Sequence, residues 1–184
     1  MEREQRAGNP AEIRADDEGV RVSGYAAVFG QEADIGGMFR EVIEKGAFAE
    51  AVGRDDVVFL IDHEDLPLAR TRSGTSTIRE DDNGLYMETD LDASDPDVAR
   101  IVPKMKRGDR DKMSFAFRVV KQAWLNTDGE EVPWWDMAGV DRQIREVSLQ
   151  KGDVSVVNYG ANPYTDAALR SLPDDQLLEL LAGK

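Results

Sequence analysis

Short apolar runs separated by stretches rich in Gly, Asp and Asn dominate the hydrophobic pattern of this chain. Most of these runs alternate apolar with polar residues or are rich in β-branched and aromatic residues, which is typical of β-strands. The pattern predicts strands at residues 20–29, 38–43, 57–62, 75–80, 85–91, 114–124, 143–149 and 154–157. Between the fourth and fifth of these, Asp81-Asp82-Asn83-Gly84 predicts the tight turn of a hairpin.

Two segments carry apolar residues at helical spacing instead. Residues 44–52 predict a short helix, and residues 94–106 predict a longer one that begins with a capping residue and an early proline. Pro103 within the second segment predicts a kink or an early end. Many short strands with a few helices indicate an α+β domain built on a barrel or a sandwich.

The polarity of the chain divides it into three parts. Residues 1–18 are charged and contain Gly8 and Pro10, so we expect a flexible acidic leader. Residues 19–166 hold the predicted strands and form one domain. Residues 167–184 are rich in Ala and Leu, which predicts a helical and removable tail.

Composition excludes several classes of function. The 184 residues, 41% of them hydrophobic, contain no apolar run long enough to span a membrane and no secretory signal at the start, so we expect an intracellular protein. A formal charge of −14 disfavours a nucleic-acid binder, which needs clustered basic residues. The absence of cysteine and the presence of one histidine exclude cysteine proteases and histidine-based zinc proteases.

The single histidine, His63, follows an apolar strand, and Ser114 opens another. If the two side chains meet, they form a nucleophile and a general base. The alternative is that both are structural residues. A divalent-metal site at Asp62-His63-Glu64-Asp65 is disfavoured, because adjacent strand residues point to opposite faces and cannot converge unless the chain turns there.

Eight short motifs, in order, resemble those of the tailed-phage prohead proteases, the capsid-maturation enzymes related to the herpesvirus assemblins. They cover roughly Val20 to Thr165. The motifs are Gly24–Phe29, Gly46–Phe48, Phe59–His63, Leu68–Thr71, Asn83–Leu85, Met113–Phe117, Arg145–Val147 and Val154–Val157.

This resemblance implies a herpesvirus-protease-like, mostly antiparallel β-barrel of about seven strands flanked by a few helices, so that residues 19–166 are a protease barrel. It also implies that Ser114 is the nucleophile and His63 the base of a serine protease triad, with no cofactor and no metal. Neither the chain order of these residues nor the surroundings of Ser114 match the chymotrypsin, subtilisin or α/β-hydrolase patterns.

The third member of the triad must be an acid here, because there is no second histidine. We predict Glu146, which lies in the Arg-Glu-Val motif and shares strand parity with Ile144, so that a buried Ile144 would draw it inward. Asp153 is the alternative, followed by Asp141 and Asp136. Assemblins complete the oxyanion hole with an arginine that this chain lacks between Glu146 and Arg170, so we look to the backbone amides of residues 154–158.

The resemblance implies a serine endopeptidase that cleaves capsid-protein and scaffold segments, and itself, inside the assembling procapsid in the host cytoplasm. We expect the major capsid protein as a partner and a homo-oligomer, with no nucleic acid and no membrane. Trp134-Trp135 is a candidate interface. The competing hypothesis is a catalytically inactive capsid-assembly or scaffold module on the same fold.

Overall fold

The computed structural model describes residues 3–16, 19–35, 37–136 and 141–158. Strands dominate this part of the chain, and two helices accompany them. The strands are β1 (Glu4–Asp16), β2 (Gly19–Val28), β3 (Ala33–Ile35), β4 (Phe39–Ile43), β5 (Val58–Ile61), β6 (Glu64–Arg70), β7 (Ser76–Glu80), β8 (Gly84–Leu91), β9 (Lys112–Leu125), β10 (Glu131–Val132) and β11 (Asp141–Val157). The helices are α1 (Ala49–Val52) and α2 (Pro96–Lys106).

The predicted α+β character is confirmed, and most elements lie where the pattern places them. The hairpin turn joins β7 to β8, with Glu80 opposite Leu85. At the start of α2 the Asp95 side chain accepts a hydrogen bond from the backbone N–H of Asp97, as expected for a helix cap. The early end predicted at Pro103 is wrong, since α2 continues to Lys106. Neither described helix is long and apolar enough to cross a bilayer.

The strands of the described residues pair in the order β3-β4-β11-β9-β1-β2-β8-β7, with β5 added beside β11 and paired to β6. Both β4 and β5 run parallel to β11, and β9 runs antiparallel to it. The sheet is therefore mixed and β11 is central to it. Because this path does not close on itself within the described residues, the closed barrel stays a prediction.

The first segment differs from the flexible leader predicted for residues 1–18. Glu4–Asp16 is strand β1, which pairs with β9 through its first half and with β2 through its second half. Each half of β1 therefore pairs with one neighbouring strand. These two ladders satisfy the backbone hydrogen bonds of a polar sequence that has no apolar alternation. The tail predicted at residues 167–184 lies outside the described residues.

A second difference concerns the strands predicted at 143–149 and 154–157, which the structure joins into β11. This strand contains register shifts against β9 on either side of Glu146 and again between Ser148 and Asp153. The main apolar core includes Phe48, Phe59 and Phe115, all nearly inaccessible to solvent. Strand β11 thus has the core on one side and leaves its other side for polar residues.

Candidate active site

Ser114 lies near the start of β9, in a part of the strand buried on both faces. Met113 and Phe115 belong to the apolar core, so the alternation of the strand turns Ser114 to the opposite face. Across the sheet, Ser114 pairs directly with Ser155 of β11. The sequence pattern therefore places a buried serine where two strands present small polar side chains to each other.

His63 is the second residue after β5, at a point where the chain turns sharply. Asp62 and His63 both have positive φ, 52° and 63°, a conformation that costs energy for residues other than glycine. Two hydrogen bonds to β11 hold this turn: the Asp62 N–H donates to the Val156 carbonyl at 3.2 Å, and the His63 N–H donates to Ser155 Oγ at 3.1 Å. The turn directs the imidazole ring back over β11 and β9.

The ring of His63 joins two side chains from different strands. Its Nε2 lies 2.7 Å from Ser114 Oγ, and its Nδ1 lies 2.5 Å from Asp153 Oδ1. Because a carboxylate only accepts hydrogen bonds, the Nδ1 atom carries the proton of the neutral ring and Nε2 is free to accept one from Ser114. Asp153, His63 and Ser114 therefore form a continuous hydrogen-bonded chain.

The structure does not bring Glu146, our prediction for the third residue, to His63; the acid that lies against the ring is the alternative, Asp153. Glu146 forms an ion pair with Lys121, its cross-strand neighbour on β9. Strand parity with Ile144 did not place Glu146 inside, because the register shifts around Glu146 change which residues face inward. Ile144 is buried, and the next buried residue after it is Val147 rather than Glu146.

The two remaining acids considered from the sequence also lie elsewhere. Asp141 pairs with Arg40 at 2.8 Å, and Asp136 is exposed. The sequence did carry a signal for Asp153, in the alternation of the segment from Asp153 to Val157. Asp153 and Ser155 share one face of the strand, and Val154 and Val156 share the other. A carboxylate and a hydroxyl therefore lie side by side on a buried face.

The first residues of the described chain also reach the site, although their polar sequence predicted a leader apart from it. Ser114 Oγ lies 2.9 Å from the backbone carbonyl of Arg6, to which it can donate. The Arg3 guanidinium forms an ion pair with Oδ2 of Asp153. The single Ser114 proton thus has two acceptors, the Arg6 carbonyl and His63, and the Asp153 charge is shared between His63 and Arg3.

The surroundings of His63 keep the ring neutral. Burial lowers the pKa of His63 to about 4, and the Arg3 charge acts in the same direction, whereas Asp62 acts in the opposite one. Asp62 is itself paired with Arg110 at 2.5 Å. A neutral imidazole at pH 7 is the form that accepts a proton from a hydroxyl.

The amides expected to form an oxyanion hole are largely committed to the sheet. Val154, Ser155 and Val156 each have register partners on both β5 and β9, so their backbone groups belong to strand ladders on two sides. A metal site is also not formed by the described residues, which contain no group of three or more His, Asp or Glu side chains placed to hold an ion.

Comparison with known proteins gives one family. The model of that family, described as caudovirus prohead serine protease, matches residues 9–176 of the chain. No curated protein and no solved structure matches. The matched range includes His63, Ser114 and Asp153.

Proposed function

Because the chain belongs to the caudovirus prohead serine protease family, we propose that it is a capsid-maturation serine endopeptidase in which Ser114 is the nucleophile and His63 the general base. Asp153 is the carboxylate that orients His63. The observation that supports these roles is the hydrogen-bonded chain from Asp153 through His63 to Ser114, with distances of 2.5 and 2.7 Å.

In the first half of the reaction, Ser114 Oγ attacks the carbonyl carbon of the scissile peptide while its proton passes to Nε2 of His63. Asp153 accepts a hydrogen bond from Nδ1 and stabilises the imidazolium. His63 then gives the proton from Nε2 to the leaving amine as the C–N bond breaks, which leaves an acyl-enzyme on Ser114.

In the second half, water replaces the amine. His63 takes a proton from the water as its oxygen attacks the ester carbonyl, and returns that proton to Ser114 Oγ when the ester bond breaks. Both halves require the Ser114 proton to point at Nε2. The Arg6 carbonyl, 2.9 Å from Ser114 Oγ, competes for it while β1 lies in this position.

The family implies capsid proteins as substrates, cleaved within the procapsid in the host cell. We extend this to scaffold segments and to the ends of the chain itself. The net charge of −14 supports basic segments as partners, since complementary charge favours association. A homo-oligomeric enzyme and the closed assemblin-like barrel are part of the same proposal.

The proposal is tested by co-expressing the chain with its cognate major capsid protein and measuring the intact masses of both. Wild type is expected to shorten the capsid protein, and Ser114→Ala is expected to leave it at full length, because no other group replaces the attacking oxygen. Ser94→Ala is the matched control, since Ser94 is exposed on the turn before α2. It should process like wild type.

Identical products from wild type and Ser114→Ala would overturn the proposed serine chemistry. Full-length capsid protein with every variant would favour the inactive assembly module. A measurement on the purified protein distinguishes an inactive protein from an enzyme that only lacks a partner. A fluorophosphonate reagent should phosphonylate wild type at Ser114. In that reaction the Oγ–P bond forms, fluoride leaves and His63 takes the Ser114 proton.

A further inference from the structure

We propose that Ser155 is a positioning residue that fixes both the Asp153 carboxylate and the backbone of His63. The inference rests on the proposed function, because it assigns Ser155 a role through those two residues. Ser155 does not contact Ser114 through a hydrogen bond and is not placed to react with a substrate. It acts on the pair that activates Ser114.

The Ser155 hydroxyl makes two hydrogen bonds, one as a donor and one as an acceptor. Its Oγ–H donates to Asp153 Oδ1 at 2.7 Å, and its oxygen accepts from the His63 backbone N–H at 3.1 Å. Oδ1 is also the oxygen that faces His63 Nδ1. A single hydroxyl therefore ties the carboxylate to the turn that carries the imidazole.

The location of Ser155 makes this link rigid. The residue is fully buried, and it lies on β11 between Leu60 of β5 and Ser114 of β9. Period-two alternation puts Asp153 on the same face. A short side chain with a hydroxyl is required here, because it must reach both Oδ1 and the His63 N–H inside a packed sheet.

The turn at His63 needs such a partner. With φ at 63°, His63 leaves the β5 ladder, and its N–H would otherwise be a donor without an acceptor near the protein interior. A buried donor in that condition is destabilising, because it has lost its hydrogen bond to water and gained none in return. Removing the Ser155 oxygen should loosen the turn and move the ring relative to Ser114.

Ser155 also affects the charge balance of the site. Its donation to Oδ1 draws negative charge away from the oxygen that faces the ring, so loss of this bond should strengthen the attraction between Asp153 and an imidazolium. The pKa of His63 should then rise. The other charged groups around the ring, Arg3 and Asp62 with its partner Arg110, are unchanged by a substitution at Ser155.

The single histidine makes this measurable, because every histidine side-chain signal in an NMR spectrum of ¹⁵N-histidine-labelled protein comes from His63. In wild type, His63 should titrate near pH 4. In Ser155→Ala the midpoint should rise by about 0.5 to 1 pH unit. The rate of Ser114 phosphonylation should fall by about 10- to 100-fold, since a displaced base aligns poorly with its nucleophile.

Two further variants separate positioning from general damage to the fold. Ser155→Thr keeps the hydroxyl and should restore both the midpoint and the rate. Ser76→Ala removes another buried serine hydroxyl, one that has no hydrogen-bond partner among the described residues, and should change neither. If Ser155→Ala does not fold, Ser155→Cys is measured by the same criteria, since its thiol is a weaker donor of similar size.

A folded Ser155→Ala or Ser155→Cys variant with a wild-type midpoint and rate would overturn the positioning role. So would a folded Ser155→Thr variant with the same defect as alanine. If wild type is not phosphonylated at Ser114, the proposed function fails instead, and the His63 midpoint still decides whether Ser155 positions the pair.

Discussion

At the scale of single residues, the charge state of His63 results from opposing neighbours. Asp153 stabilises the protonated ring through a direct hydrogen bond, but Arg3 pairs with the same carboxylate and compensates its charge. Burial is the larger effect and the Arg3 charge adds to it, so the pKa of His63 is lowered to about 4. The ring is therefore neutral at pH 7, which is the form that accepts a proton, and it is protonated only transiently in the proposed reaction.

The first prediction at this scale separates the two candidate acids. Asp153→Asn should reduce the rate of Ser114 phosphonylation by about 10³- to 10⁴-fold, because an amide at this position favours the wrong tautomer of His63. Glu146→Gln should stay within about threefold of wild type, because Glu146 contacts Lys121 on the other side of the register shift.

Both variants preserve side-chain shape, and thermal unfolding verifies that each folds. A large loss in Glu146→Gln with little change in Asp153→Asn would return the role to Glu146. The sequence alone could narrow the choice to a few acids, and His63 and Ser114 were visible as a strand-end histidine and a strand-start serine. The alternation from Asp153 to Val157 groups Asp153 with Ser155, but which acid meets His63 depends on the register shifts of β11 against β9, which are set by tertiary contacts.

At the scale of elements, the irregularities of β11 decide what the strand presents to the site. The six residues of β11 from Ser148 to Asp153 lie opposite only the three residues of β9 from Arg118 to Ala116. Lys151 has φ of 58° within this excursion. The extra residues allow the strand to resume pairing with Asp153 and Ser155 on the polar face.

Gly152 is essential to this geometry, and its substitution is the second prediction. A Cβ there would lie 2.2 Å from the Ala116 carbonyl oxygen and 2.9 Å from the Leu149 carbonyl oxygen, both backbone atoms. Gly152→Ala should therefore destabilise the protein by about 1–3 kcal/mol, measured by urea unfolding. It should also slow Ser114 phosphonylation, because Asp153 is the next residue.

The matched control is Gly53→Ala, since a Cβ at Gly53 meets no atom within 4 Å and its φ of −86° suits alanine. It should unfold like wild type. Equal stability of Gly152→Ala and wild type would show that β9 and β11 separate easily at this point. Strands and the hairpin turn were predictable because alternation and turn residues are local signals, whereas the joining of two predicted strands through Gly152 depends on contacts with β9.

At the scale of the whole molecule, a buried ionic cluster holds the start of β1 against the sheet. Glu4 and Arg6 of β1, Glu41 of β4 and Arg142 of β11 form it, with Arg142 bridging Glu4 and Glu41 at 2.9 Å. Arg6 bonds Glu41 at 2.6 Å. Two negative and two positive charges balance, so each buried charge is paired.

This cluster explains why the leader prediction failed. Charged residues without an apolar pattern normally stay in water, and that reasoning assigned residues 1–18 to a flexible segment. In the structure, charges from three strands distant in sequence compensate one another, and so Glu4 is buried. Such compensation requires the tertiary fold and cannot be read from one segment. It also places Arg3 and the Arg6 carbonyl beside the proposed catalytic residues.

The third prediction concerns the pH dependence of stability. Burial alone would raise the pKa of Glu41, but the Arg6 and Arg142 guanidinium groups hold it below the ordinary value of 4.5. The stability that Glu41 contributes is therefore complete above about pH 4.5 and is lost as pH falls through its lower folded-state pKa. His63, lowered from 6.5 to about 4, adds a loss that begins below about pH 6.5.

Urea unfolding of wild type should accordingly show stability decreasing from about pH 6.5 downward and more steeply below about pH 4.5. Glu41→Gln should lower the free energy of unfolding by about 3–5 kcal/mol at pH 7, because the two buried guanidinium groups are then left with a single carboxylate. It should also flatten the steeper part of the stability curve. Lys45→Ala, which breaks an exposed pair with Asp82, should follow the wild-type curve. A Glu41→Gln protein as stable as wild type at pH 7 would mean that water already reaches the cluster, and that β1 is held at the site by its pairing with β9 alone.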